Sequence, residues 1–131
     1  MLQFSEGYAL GVHASVLIAS GGGSMSAPKI AEMLSVSRDH LAKVMRKLVV
    51  AGLVESQRGV GGGFLLTRLA AEVSLWDIYR AVEGDFPQKA CLFKRKVCSK
   101  SECVIGCFIS KVNNEVKEYL QTTMIQELFD S

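Results

Sequence analysis

The chain has 131 residues, 49% of them hydrophobic, and its 15 Lys and Arg against 13 Asp and Glu give a formal net charge of +2. That length holds one modest domain with little room for a second, and so small a net charge does not by itself mark a nucleic-acid binder. The start, MLQFSEGY, lacks the basic segment of a signal peptide, and the apolar run from Ala9 to Ser20 is too short for a bilayer and is broken by His13, so a cytoplasmic protein without a membrane span is expected.

Tyr8, Val12, Val16 and Ala19 recur at helical spacing with Leu10 and Leu17 beside them, which predicts a first helix. His13 on that apolar helix reads as a hydrogen-bonded core or interface histidine. A second, short helix is expected from about Ala27 to Met33. Ser26 caps it, Pro28 lies in its first turn where a missing N–H does no harm, and Ile30, Met33 and Leu34 are its buried side chains.

Only Ser35 and Val36 separate that helix from the next. Ser37 is a good N-cap, Asp39 places a negative charge in the first turn, and Gly52 is a natural stop, so a third helix runs from about Arg38 to Ala51. Leu41, Val44, Met45 and Leu48 fall at i, i+3, i+4 and i+7 and form one apolar face. Arg38, His40, Lys43, Arg46 and Lys47 are left to point outward. So short a turn makes the two helices cross steeply, and the second stands proud, able to enter a major groove with its first turns. An ordinary helical hairpin with a solvated charged face satisfies the same pattern.

Two short strands are predicted next, Val54 to Gln57 and Phe64 to Thr67, joined by Arg58-Gly59-Val60-Gly61-Gly62-Gly63. Glycines there tolerate positive φ and let backbone approach another surface closely, and an arginine at the base of such a hairpin suits the electronegative minor groove. A nucleotide cradle fits poorly, since no Gly-Lys-Ser/Thr ending and no helix start follow the loop. Arg38, Lys43, Arg46, Lys47 and Arg58 face only Asp39 and Glu55 across this stretch, so positive charge is concentrated where a helix-turn-helix and its wing would meet DNA.

Ser74 with Asp77 three residues on makes a capping-box start for a helix ending at Gly84, with Leu75, Ile78 and Val82 on its buried face and Trp76 and Tyr79 packing beside them. Four cysteines follow in one short stretch: Cys91, Cys98, Cys103 and Cys107, among Lys94, Arg95, Lys96 and Lys100. Crowded thiols in a cytosolic chain point to metal, cluster or redox chemistry more than to structural disulfides, and the absence of paired Cys-x-x-Cys knuckles ranks zinc last. From about Ile105 to Phe129 the chain has helical rhythm again, in Phe108, Ile109, Val112, Val116, Tyr119, Leu120 and Met124. Such a helix is about 35 Å long, more than a small domain covers on both sides. A second copy packing antiparallel on it gives a C2 dimer whose recognition helices meet successive major grooves about 34 Å apart, hence a homodimer on a palindromic operator in double-stranded DNA. The segments divide as 1–84 DNA-binding domain, 85–104 cysteine-rich sensor loop and 105–131 dimerisation helix.

The runs KIAEMLSVSRDHLAKVMRKL and GLVESQRGVGGGFLLTRLAAEVSLWDIYRAVEG, with YAL near the N-terminus, resemble the Rrf2 family of bacterial regulators over nearly the whole chain. The resemblance implies a mainly α fold, a winged helix-turn-helix with a small β-hairpin wing and a long C-terminal dimerisation helix, and a role in transcriptional control, as a repressor, rather than catalysis. It puts Ser37, Arg38, His40 and Lys43 on the DNA-reading start of the recognition helix and Arg58 on the wing; Ser26, Arg46 and Gly61 are further candidate DNA contacts. Many members sense redox, iron-sulfur or nitrosative status through an iron-sulfur cluster, so a 2Fe-2S cluster is implied, with 4Fe-4S or no cluster as the alternatives. Cys91, Cys98 and Cys103 occupy the family's ligand loop at a spacing that departs from the usual one, and Cys107, Glu6 or His13 is a candidate fourth ligand. Other members work as cluster-free thiol switches, and Cys103-Val104-Ile105-Gly106 resembles their reactive segment. A winged-helix protein-interaction module without DNA binding is the remaining alternative.

Overall fold

Each of the first four helices starts at a serine. The structure, a computed structural model, describes residues 3–87 and 103–129, and within them α1 spans Glu6–Ser20, α2 Ala27–Leu34, α3 Arg38–Val50 and α4 Leu75–Glu83. The hydroxyls of Ser5, Ser26, Ser37 and Ser74 accept from the backbone N–H three residues on, at 3.0, 3.4, 3.1 and 3.0 Å. Ser74 and Asp77 complete a capping box, with the Asp77 carboxylate accepting from the Ser74 N–H at 3.0 Å. Caps of this kind are worth about 1 kcal/mol each and fix where each helix enters.

Between α2 and α3 the chain reverses through Ser35, which holds φ at 55° while the Val36 N–H closes on the Ala31 carbonyl at 3.0 Å. After α3, β1 (Val54–Gln57) and β2 (Gly63–Leu66) pair antiparallel, Val54 opposite Leu66 and Gln57 opposite Gly63. A single-turn 3-10 segment, Ala70–Glu72, leads into α4. Beyond the cysteine-rich stretch, α5 covers Val104–Thr122 and a second 3-10 turn covers Ile125–Leu128.

The core is built around α1. Tyr8, Leu10, Ala14 and Ile18 are buried with Ile30, Leu41, Val44, Met45, Leu48, Ile78, Tyr79, Val82, Leu120 and Ile125. At Gly11 an added Cβ would lie 3.1 Å from Val82 and 3.3 Å from Ile78, so the missing side chain sets how closely α1 and α4 approach. The Tyr8 hydroxyl donates to the Leu75 carbonyl at 2.8 Å, and burial, then the neighbouring Tyr79, pushes its pKa up to about 12. Phe4, Tyr8, Tyr79, Trp76 and Phe86 continue this contact as a chain of stacked and edge-on rings, with Lys117 of α5 over Trp76 at 5.3 Å. No helix among the described residues is long and apolar enough to cross a membrane.

Several expectations need correction. The last helix stops at Thr122, well before Phe129, because Thr123 and Ile125 leave helical geometry to pair with the segment before α4: Leu75 N–H donates to the Thr123 carbonyl at 2.9 Å and Ile125 N–H to Val73 at 2.8 Å. Its 19 residues give about 28 Å, not about 35 Å. Met33 is 53% exposed, since Ile30, Ala31 and Leu34 define the inward face of α2 and Met33 lies beyond its edge. The second strand begins one residue earlier than expected, at Gly63, and ends at Leu66. His13 is exposed, not in the core, with Nδ1 2.7 Å from the Ala9 carbonyl one turn back.

Candidate nucleic-acid interface

Leu41, Val44, Met45 and Leu48 hold α3 against the core, as their spacing predicted, and Arg38, Asp39, Lys43 and Arg46 lie exposed while His40 is half-buried. Among the described residues the one ion pair is Arg68 with Asp77 at 3.8 Å, so the guanidinium of Arg38 and the ammonium of Lys43 are not neutralised by a carboxylate there. Ser37 accepts a hydrogen bond as cap, which leaves its own O–H to donate to a phosphate oxygen. Lys47 is exposed as expected, but its ammonium donates to the Val82 carbonyl at 3.1 Å.

The wing is held more firmly than its glycines suggested. Met25 and Phe64 exchange two backbone hydrogen bonds, at 3.1 and 2.8 Å, so the segment before α2 adds a bridge to β2. Gly63 is pressed on that bridge: a Cβ there would stand 2.5 Å from the Met25 carbonyl oxygen. Toward the tip, the Ser24 hydroxyl donates to the Gly61 carbonyl at 2.7 Å, and Gly59 and Gly61 hold φ at 96° and 77°, conformations a side chain would strain. Arg58 is exposed beside this anchored tip, and Val60 projects from it fully into solvent. Ser26 lies half-buried at the wing's base, its hydroxyl accepting in the α2 cap and its N–H against Gly63. Ser24 and Met25 were not singled out from the sequence. The run Gly21-Gly22-Gly23 signals a loop, but no local pattern says that its far end reaches Gly61 and Phe64.

Of the four cysteines, Cys91 and Cys98 lie outside the described residues. Cys103 is the N-cap of α5, its sulfur accepting from the Gly106 N–H at 3.4 Å, and Cys107 follows one turn later. Both are exposed free thiols. Among the described residues no group of three His, Cys, Asp or Glu side chains is gathered as a metal site would need. Two accessible thiols one helical turn apart are soft donors suited equally to iron and to disulfide chemistry. Among the described residues neither Glu6 nor His13, both on α1, stands in such a group.

On its outward side α5 carries Val104, Ile105, Phe108, Val112 and Tyr119, all exposed. Its inward side is Gly106, Ile109, Asn113 and Leu120. An apolar stripe of that length on the surface marks an interaction face.

The model for the family described as "Rrf2: Iron-dependent Transcriptional regulator" matches residues 4–131. YwgB of Bacillus subtilis, named as an HTH-type transcriptional regulator, is 34% identical over 109 residues, covering 82% of this chain and 70% of its own. The solved structure of CymR, the global cysteine regulator of B. subtilis, superposes with a TM-score of 0.84 at 28% identity over 99% of this chain and 98% of that one. An oxidized form of Staphylococcus aureus CymR superposes with a TM-score of 0.78 at 26% identity, covering 99% and 98%. With its winged helix-turn-helix in place and the family match running from residue 4 to the last residue, the chain belongs to the Rrf2 family of DNA-binding transcriptional regulators.

Proposed function

We propose that this protein is a homodimeric repressor that grips a palindromic operator with α3 and the wing of each protomer and changes that grip when its cysteines change state. The observation that carries the reading is the exposed row Arg38, Lys43 and Arg46 on a helix whose opposite face is buried in the core. Ser37 and His40 lie at the start of that row, and Arg58 with the Gly61 turn forms the second contact. Ser26, at the wing's base, adds a hydroxyl near the same surface. The apolar stripe on α5 supports the dimer, with a second copy as its cover.

Two sensing modes remain, and the residues suit both. Cys91, Cys98 and Cys103, with Cys107 as the fourth ligand, would hold an iron-sulfur cluster, 2Fe-2S or 4Fe-4S; when bound, such a group supplies a one-electron and nitric-oxide-reactive centre. In the cluster-free mode a peroxide oxidises the Cys103 thiolate, at the first turn of α5, to the sulfenic acid with loss of hydroxide, and a second thiol condenses with it to a disulfide with loss of water. Either event lies between α4 and α5, so it acts on the two helices that join the DNA-reading domain to the dimer face.

The test begins with anaerobic purification. Iron and acid-labile sulfide per chain are measured before and after air exposure, alongside affinity for duplexes selected from a random library. Protein with stoichiometric iron supports the cluster mode, and colourless, iron-free protein with an air-sensitive affinity supports the thiol mode. Equal affinity in every state refutes cysteine control, and failure to select any duplex refutes the DNA reading.

A further inference from the structure

Lys47 sits in the last turn of α3 on the same helix as Lys43 and Arg46 and is exposed like them, yet its ammonium is held by a neighbouring helix. The Nζ donates to the Val82 carbonyl at 3.1 Å. Val82 belongs to the last turn of α4, where carbonyls lack partners within their own helix and the negative end of the dipole accumulates. Gly84 ends that helix with φ at 85°, its N–H returning to the Arg80 carbonyl at 3.2 Å, which leaves the Val82 oxygen for another donor. A charged donor placed there is stronger than a neutral one.

The surroundings of that bond give it a role. The opposite end of α4 is tied to the segment after α5, with the Leu75 N–H donating to the Thr123 carbonyl and the Ile125 N–H donating to the Val73 carbonyl, and to α1 through the Tyr8 hydroxyl. The Val82 side chain packs toward Val44 of α3 and the bare faces of Gly7 and Gly11 on α1. Glu83, the last residue of α4, accepts from the Ser5 hydroxyl at the start of α1. Thus α4 is fixed at its start to the chain that follows the dimer-face helix and at its end to the recognition helix, where apolar packing is joined by the charged hydrogen bond from Lys47.

We propose that Lys47 is a positioning residue for operator reading: it sets the orientation of α3 against the end of α4 and makes no phosphate contact of its own. The proposal rests on the DNA-binding reading above. Removing the ammonium loosens the register of Arg38 and His40 against the base edges, while leaving the phosphate-binding charge of Lys43 and Arg46 unchanged.

The experiment uses the full chain and compares Lys47→Met, which keeps the aliphatic stem, Lys47→Arg, which keeps a charged donor, and Lys43→Met. Affinities are measured across a salt series for the duplex that the unaltered protein selects from a random library and for a scrambled duplex of equal length. Lys47→Met is expected to lose about tenfold on the selected duplex and almost nothing on the scrambled one, with an unchanged salt slope, and Lys47→Arg to recover most of the loss. Lys43→Met is expected to lose about 0.9 of the slope on both duplexes, as one lost phosphate contact requires. A slope reduced equally by Lys47→Met would make Lys47 a phosphate contact and overturn the proposal. So would an unchanged affinity for the selected duplex, or an equal loss on both duplexes with a lowered melting temperature, which is the mark of a merely structural bond. If the unaltered protein selects no duplex, the DNA-binding reading fails and the proposal fails with it.

Discussion

Two helices, α3 and α5, each bury one face in the domain and leave the other open, and the open faces have opposite chemistry. On α3 the open face carries Arg38, Lys43 and Arg46. On α5 it carries Ile105, 54% exposed, Phe108, 65%, and Tyr119, 64%. A cationic face is stable in water and waits for an anion at no cost to the free protein. An apolar face is not: burying a side chain of that size fully is worth about 1.5–3 kcal/mol, so the stripe on α5 favours a cover whenever one is present. One open face therefore suits a polyanion and the other an apolar cover, and the same fold presents both.

The largest effect expected from breaking this pairing lies on α5. Phe108→Asp combined with Val112→Asp replaces two exposed apolar side chains with charges that a protein interface rejects, without touching the buried Ile109, Asn113 or Leu120. Sedimentation should report monomers with unchanged helicity, and affinity for the selected operator should fall by at least about a hundredfold, because the two heads no longer bind as one unit. A variant that stays dimeric with full affinity would remove α5 from the interface.

Next in size is Gly63→Ala, which asks whether the wing belongs with α3 as one DNA-reading surface. A methyl group placed 2.5 Å from the Met25 carbonyl oxygen must push β2 off its bridge. The expected cost is about 2 kcal/mol or more, seen as a lower melting temperature together with weaker operator binding. Gly23→Ala, which meets nothing within 4 Å, serves as the control and should leave both unchanged. Loss of stability with full operator affinity in the surviving folded protein would separate the wing from the DNA surface.

The two open faces were not equally legible in the sequence. The one on α3 was readable because its signals are local: Ser37, Asp39 and Gly52 bound the helix and a four-residue apolar repeat fixes its inward side. Only the bond of Lys47 escaped, since its partner Val82 is 35 positions away and no spacing rule links a lysine to a distant carbonyl. For α5 the apolar rhythm was visible, but its end was not. Thr122 and Met124 continue a helical pattern, and what stops the helix is the pairing of Thr123 and Ile125 with the start of α4, a tertiary preference that overrides propensity. The wing's anchors at Ser24 and Met25 were likewise hidden, being contacts between loops with no periodicity to reveal them. Cys91 and Cys98, expected as ligands, lie outside the described residues.

Smaller changes are expected from single cations of the open face. Lys43→Ala and Arg58→Ala should each weaken operator binding about five- to tenfold at low salt and lower the slope of log affinity against log salt by about 0.9. Both side chains are exposed, so melting temperatures should stay put. If Arg58→Ala weakens binding only to duplexes whose A·T-rich stretch lies beside the major-groove site, the wing reads the minor groove. Equal weakening on all duplexes leaves it a phosphate contact.

The smallest effect at neutral pH belongs to α1, the helix with no open face of consequence, and it sets the standard against which α3 and α5 are open. Tyr8 is buried there and donates to the Leu75 carbonyl at 2.8 Å. Tyr8→Phe removes that bond while keeping the ring contacts with Phe4 and Tyr79, so near pH 7 it should cost no more than about 1 kcal/mol. Alkali should separate the two proteins. Burial and Tyr79 raise the Tyr8 pKa from 10.0 to about 12 in the folded state, so folding favours the neutral phenol. That contribution is fully present below pH 10 and is lost as pH rises through about 12, because the unfolded chain releases the proton first and is stabilised by doing so. Chemical denaturation at steps across that window should therefore show the unaltered protein losing stability more steeply than Tyr8→Phe, its curve meeting and then falling below the variant's as pH approaches 12. Tyr79, whose pKa is raised by burial and by the charge of Glu83, is present in both proteins and largely cancels in the difference. Parallel curves would mean that the Tyr8 hydroxyl reaches water, and that this corner of α1 is as open as the faces of α3 and α5.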